Sequence, residues 1–273
     1  MRLVFLSGLL IALGAGGATA GTVITLDQSV NGGPAMQQTI ALAGDKMKMT
    51  SPQNQTIYRG DQKKVWMVKP ADKAYVELTP EGMGQMRAQM DQRVAQLQQQ
   101  MASMPPEQRQ QAEAMLASRG MGPSAASAPP RITYEKAGEP KRIGGYSCTP
   151  FHVTMAGAPA SEFCMASLSD LGLTRDDMKA FIGFNRFMGQ MAGTGAQRSP
   201  MAQLDFDAVR LQIGFDAFPV QTSFGAPGGQ YSVQTTLTSI RHEDPPAGTF
   251  ELPAGYLRQD MGAGMGHGPR APG

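Results

Sequence analysis

The stretch KMKMTSPQNQTIYRGDQKKVWMVKPADKAYVEL, residues 46–78, decides the fold. It divides into four short runs: Lys46 to Ser51, Thr56 to Arg59, Val65 to Val68 and Ala74 to Leu78. Polar turns separate them, at Gly60-Asp61 and at Pro70-Ala71-Asp72. Strands of about five to seven residues joined by tight polar turns make an antiparallel meander. Upstream, the turn Gly44-Asp45 follows another run, Gln37 to Leu42, and the loop Asn31-Gly32-Gly33-Pro34 follows the first. In that first run Val23, Thr25 and Asp27 point to one face, and Ile24, Leu26 and Gln28 to the other.

Downstream the period changes. Thr79 is placed to cap a helix with Pro80 at its first position. Met83, Met90, Leu97 and Met104 then recur every seventh residue, with Val94 and Met101 on the complementary seam. This is a coiled-coil-like stripe on a Gln-rich helix. Pro105-Pro106 ends it, and a second helix from Glu107 buries Ala112, Met115 and Leu116 before Gly120. Residues 80–120 thus read as a helical hairpin inserted into the sheet, and 121–131 as a flexible Gly/Ala/Pro linker.

Strands resume at Ile132 to Glu135 and Lys141 to Ile143, followed by a hairpin of 146–155 and 161–166 turning at 156–159. A broad apolar helical face runs through Met178, Phe181, Ile182, Phe184, Phe187, Met188 and Met191, in a helix over 174–191. A short helix at 202–212, strands at 219–224 and 231–241 and an extended segment at 250–256 complete the domain, 21–260. Residues 261–273 read as a disordered Gly/Pro tail. The fold class is α+β: an antiparallel sheet with helices on one face.

The first 20 residues have the three parts of a cleavable secretory signal: Arg2, the apolar run Leu3 to Leu13, and Ala18-Thr19-Ala20 before Gly21. The run is too short to span a bilayer, which needs about 20 apolar residues, and no later stretch is long enough. The mature chain is therefore expected in the periplasm or secreted. The two cysteines, Cys148 and Cys164, fit that compartment as a disulfide. Their midpoint, Ala156, lies in the hairpin turn, so they are expected to face each other across the ladder. With 24 basic and 22 acidic residues the chain lacks the basic excess of a nucleic-acid binder. It also lacks the polybasic cluster of a membrane-surface protein.

Four pieces resemble the exported bacterial family known as DUF4412. They are KMKMTSP…TIYRGDQKKVWMV…KAYVELT (46–79), the Met/Gln helix, RIGGYSCTPFHVT…SEFCMASLSDLGL (142–173) and FELPAGY (250–256). The resemblance implies the architecture of the LolA/LolB lipoprotein carriers: a curved antiparallel sheet, a half-barrel, with helices over its mouth. It implies that fold and transfers no activity or catalytic residue; lipid or lipoprotein is expected as a partner from the apolar concave face itself.

No catalytic constellation is present. There is no G-x-S-x-G, no P-loop and no G-x-G-x-x-G after a strand. His152, His242 and His267 lack the spacing of a zinc site. Asp176 and Asp177 fit a helix first turn, where the dipole favours them. Asp205 and Asp207 fit a solvated face. The chain is expected to be a non-enzymatic binding protein without a cofactor or metal. Its apolar ligand, a lipid or acyl chain, would lie in the concave face of the sheet, lined by Met47, Met49, Trp66, Met83, Met90, Phe181 and Phe184. Two alternatives remain. Met47 and Met49 with Trp66 nearby would suit Cu(I), a soft cation. The helical hairpin would serve an envelope-interaction protein as a docking surface.

Overall fold

The computed structural model describes residues 21–102, 105, 132–155, 161–191, 206–225 and 231–260. The signal segment, the second arm of the helical hairpin, the linker, the 156–159 turn and the C-terminal tail lie outside the described residues.

The meander read from residues 46–78 is present, strand for strand. β1 (Thr22–Val30), β2 (Met36–Ala43), β3 (Lys46–Thr50), β4 (Gln55–Arg59), β5 (Lys64–Lys69) and β6 (Ala74–Leu78) pair antiparallel in chain order. The turns after β4 and β5 share one design. Each is a single 3-10 turn closed by a lysine in the left-handed region, Lys63 at φ 51° and Lys73 at φ 46°. Each lysine N–H donates back to the turn's first carbonyl, of Gly60 and Pro70.

Thr79 caps α1 (Pro80–Ala102) as expected, its Oγ1 accepting from Gly82 N–H at 3.1 Å. The chain returns as β7 (Ile132–Lys136), β8 (Lys141–Ile143), β9 (Tyr146–Met155) and β10 (Ser161–Ser167). Two helices follow, α2 (Lys179–Met191) and α3 (Phe206–Ile213), then β11 (Ala217–Gly225), β12 (Ser232–His242) and the two-residue β13 (Leu257–Arg258).

The sheet order is β13-β6-β5-β4-β3-β2-β1-β12-β11-β10-β9-β7, with β8 also on β9. Two sequence-local meanders are therefore joined by one distant pairing, β1 with β12, which sets Thr22 opposite His242. The sheet is open, since β13 and β7 end the order without pairing each other. It is also curved. The Phe184 and Phe187 rings of α2 meet Tyr58 of β4 at 6.0 and 6.2 Å, while Phe181, one turn away, meets Phe218 of β11 at 5.9 Å. Flat, those strands would lie five steps or about 24 Å apart, beyond the reach of one helix of about 10 Å diameter. The sheet must wrap around α2. Bulges at Thr25/Leu26 and Cys164/Met165 supply part of that bend.

Four readings are corrected. Asp176 and Asp177 precede α2 rather than forming its first turn. Asp177 Oδ2 accepts from both the backbone N–H and the hydroxyl of Thr174, at 2.7 Å each, which fixes a separate turn. Residues 250–256 are not extended; Phe250 and Ala254-Gly255 sit in turns. The cysteines do bond, with Cα atoms 5.3 Å apart, but Cys164 lies opposite Pro150. The disulfide thus crosses the ladder diagonally, offset by one same-face position. Finally, α1 does not lie flat on the sheet. Met83 packs on the core, but Val94 and Leu97 of the expected buried stripe are exposed.

Pro150 in the middle of β9 is explained by the edge beyond it. The outer partner of β9 changes there from β8 to β7, so no ladder N–H is required. The outermost strand β7 is guarded. The Gln212 side chain of α3 accepts from Tyr134 N–H at 3.1 Å and donates to Ile132 O at 2.9 Å, as a neighbouring strand's peptide would. Unpaired edges are templates for self-association. Gln212→Leu is therefore expected to raise the weight-average mass in sedimentation velocity with protein concentration, while wild type stays constant.

Candidate functional site

Strand register sorts the expected site residues by face. One inner row is Leu42, Met47, Tyr58, Val65 and Leu78; the next is Ile40, Met49, Thr56, Met67 and Val76. The first row is sealed. Met47 and Val65 are fully buried, and α2 lies over them with Phe181 fully buried and Phe184 nearly so. These side chains fill the concavity at this level, so Met47 and Phe181 are core and do not line an open hollow. Phe181 is held edge-on by Phe206 at 5.8 Å and by Phe218.

The second row is more open. Met49 and Val76 are half-buried against the core, Met83 of α1 packs on the same core, and Met67 is 48% exposed. Met67 and Val76 were not among the expected residues. Their signal was present in the alternation, since Met67 is two residues from Val65 and shares its face. The side chain of Met90 lies outside the described residues.

Trp66 is on the other side of the sheet. It pairs with Ile57 and forms a second core with Ile57 and Val68, covered by Tyr75, Phe250, Leu252 and Tyr256. Its Nε1–H donates to Glu77 Oε2 at 2.9 Å, and Lys64 Nζ lies 5.1 Å from its ring centre. The covering segment is tied down by Arg59, whose buried guanidinium bonds Asp61 twice, at 2.9 and 2.8 Å, and Glu251 once, at 2.5 Å. That bonding holds the Asp61 carboxyl below its usual range. The pleat thus separates Trp66 from Met47 and Met49, and the Met–Met–Trp arrangement expected for Cu(I) does not form.

Where β4 ends, the inner face becomes polar. Lys179 Nζ pairs with Asp45 Oδ1 at 2.6 Å. Arg175 bonds Asp207 and, at 2.5 Å, Asp216; Arg186 reaches Asp207 at 3.4 Å. Asp207 is therefore ion-paired and not merely solvated, and the Arg175 hydrogen bond lowers its pKa. Burial, then the Asp45 charge, raise that of Tyr58. His152 is exposed between Glu135 and Glu162, and His242 bonds Gly172 O and Thr22 Oγ1. Among the described residues no cluster of His, Cys, Asp or Glu could hold a metal, and no helix is long and apolar enough to cross a membrane.

The family described as "Domain of unknown function (DUF4412)" matches residues 79–256, more than half of the chain. This chain belongs to the DUF4412 family. The match includes the disulfide hairpin, α2 and the Trp66-covering segment, and begins after the meander of β1 to β6. Residues 46–78, on which part of the resemblance was read, therefore lie outside the matched span. No curated protein matches this DUF4412 chain in sequence.

Solved structures of similar layout share little sequence with it. An uncharacterized conserved protein from Thermus thermophilus is 7% identical, with a TM-score of 0.43, covering 89% of this chain and 91% of its own. MucB is 10% identical, with a TM-score of 0.35, over 87% of this chain and 58% of MucB. A domain described as a putative outer membrane lipoprotein-sorting protein from Vibrio parahaemolyticus is 6% identical, with a TM-score of 0.31, over 86% of this chain and 91% of its own.

Proposed function

We propose that the chain is a non-enzymatic binding protein of the bacterial periplasm that takes an apolar ligand of the acyl-chain class on the second inner row. The observation carrying this reading is Met67, half-exposed on the concave face in register with Met49 and Val76. The same row continues through Thr56 and Met49 into the fully buried Ile40, so a largely apolar floor runs from core to opening. Methionine suits such a floor, because its unbranched thioether adapts to varied ligand shapes. The disulfide supports an oxidising compartment.

The ligand-contacting residues in this reading are Met49, Met67, Val76 and Met83, with Met47, Phe181 and Phe184 as the packed wall behind them. The fluorescent apolar probe N-phenyl-1-naphthylamine tests it. Wild type is expected to bind saturably. Met67→Asp, which places a charge where an apolar group must pack, is expected to weaken binding by about tenfold or more. Unchanged probe affinity in Met67→Asp, or no saturable binding by wild type, would sink the reading.

A further inference from the structure

A depression of about 450 Å3 opens between the end of β4 and the start of α2, at the opposite end of the strands from Met67. Its floor is the Tyr58 hydroxyl, kept clear by two glycines. A Cβ at Gly183 would stand 2.8 Å from Tyr58 Oη, and one at Gly60 3.1 Å from it. Among the described residues the hydroxyl has no hydrogen-bond partner, although the ring is fixed by Phe184 and Phe187. Burial and the Asp45 charge keep the phenol protonated, so it is a donor aimed into the depression.

The walls carry both signs of charge. Lys179, Gly183 and Arg186 recur at helical i, i+4 and i+7 spacing and share one face of α2. Arg186 has an exposed side chain and one long bond, to an Asp207 that Arg175 also holds. Most of its five donors face solvent. The acidic side is Asp45, paired with Lys179, and the exposed Asp176. Arg175 is committed to Asp207 and Asp216. A lone anion would meet Asp45 and Asp176; a lone cation would meet Arg186 and Lys179. A ligand with both charges avoids both conflicts.

We propose that this depression binds a zwitterionic headgroup, a phosphate joined by a short linker to an ammonium. The phosphate sits on Arg186 and the Tyr58 hydroxyl, the ammonium on Asp45 and Asp176, and the linker lies against Ile182. Planar guanidinium and a phenolic donor suit phosphate oxygens, and carboxylates suit the ammonium. This site is separate from the apolar row and does not depend on it.

The test is an NMR titration of the full chain, following the Gly60 and Gly183 amides. The probes are O-phosphoethanolamine, inorganic phosphate and ethanolamine. Saturable shifts are expected with O-phosphoethanolamine, with affinity about tenfold or more above either half-ligand. Arg186→Gln, Asp176→Asn and Tyr58→Phe, which keeps the ring contacts, are each expected to weaken it by about fivefold or more. Inorganic phosphate binding as tightly, variants indistinguishable from wild type, or no saturable shift would each overturn the proposal. Co-sedimentation with phosphatidylglycerol vesicles, which carry no ammonium, with and without phosphatidylethanolamine separates the sources. Pelleting that depends on phosphatidylethanolamine assigns a lipid headgroup, and its absence alongside O-phosphoethanolamine binding assigns a soluble zwitterion. Loss of naphthylamine binding in Met67→Asp leaves these outcomes unchanged, so the two sites fail independently.

Discussion

Replacing Phe181 with alanine is expected to lower stability by about 3–5 kcal/mol, the range for a fully buried phenylalanine. Phe181 has no exposed surface, and its ring is met edge-on by Phe206 and Phe218. Those partners come from α3 and β11, so the one side chain joins two helices to the second meander. Truncation removes the transferred ring and leaves a cavity that the wrapped sheet cannot close, because α2 is also held by Phe184 and Phe187 on Tyr58. In urea the midpoint should fall with the slope unchanged. On heating, the loss corresponds to about 2–4 °C per kcal/mol for a domain of this size. Phe181→Leu should cost less than half as much, since most of the volume remains. A loss under about 1 kcal/mol for the alanine variant would mean that α2 is not seated in the concavity.

That seating was only half legible in the sequence. The spacing of Phe181, Phe184 and Phe187 announces a helix with a buried face. It does not say whether the face caps a hollow or fills it. Filling depends on how tightly the sheet wraps, and that is set by the distant β1–β12 pairing and by two bulges. Neither has a local signal. The meander of β2 to β6, in contrast, was readable because each turn carries its own chemistry, Gly44-Asp45 or Pro70-Ala71-Asp72.

Trp66 shows where alternation fails. Val65, Trp66 and Val68 are all buried, so β5 has apolar residues on both faces and its pattern cannot assign a side. The outer face of β5 is covered by Phe250, Leu252 and Tyr256, almost two hundred residues later in the chain. Met67 was overlooked for the complementary reason. It lies within the same apolar run, yet it is the member left half-exposed, and exposure depends on what the folded chain lays over each position. The polar depression was illegible as well. Its groups come from the β2–β3 turn, the end of β4 and the turn after it, the turn before α2 and α2 itself, and the telling residues are glycines, whose value lies in what they leave uncovered.

Removing the disulfide by Cys148→Ala with Cys164→Ala is expected to cost about 3 kcal/mol, the chain-entropy value for a short closed loop. The bonded residues are 16 apart and both nearly fully buried. The offset of the pair adds a second reason. Cys164 lies beside Pro150, whose carbonyl turns outward to accept from Ala137 N–H, and on its other edge β10 carries the bulge at Cys164/Met165. The β10–β11 ladder is therefore irregular where the cross-link sits, and the bond restrains β10 beside that bulge. Denaturation of the double variant should show an unchanged slope and a lower midpoint. Intact wild type should resist dithiothreitol until denaturant opens the hairpin, because neither sulfur is exposed. The β9–β10 hairpin lies far along the sheet order from Met49 and Met67, so folded double variant should bind naphthylamine with wild-type affinity. Stability within about 1 kcal/mol of wild type would show that the β9–β10 register is held without the cross-link, and that the oxidising compartment contributes nothing to this fold.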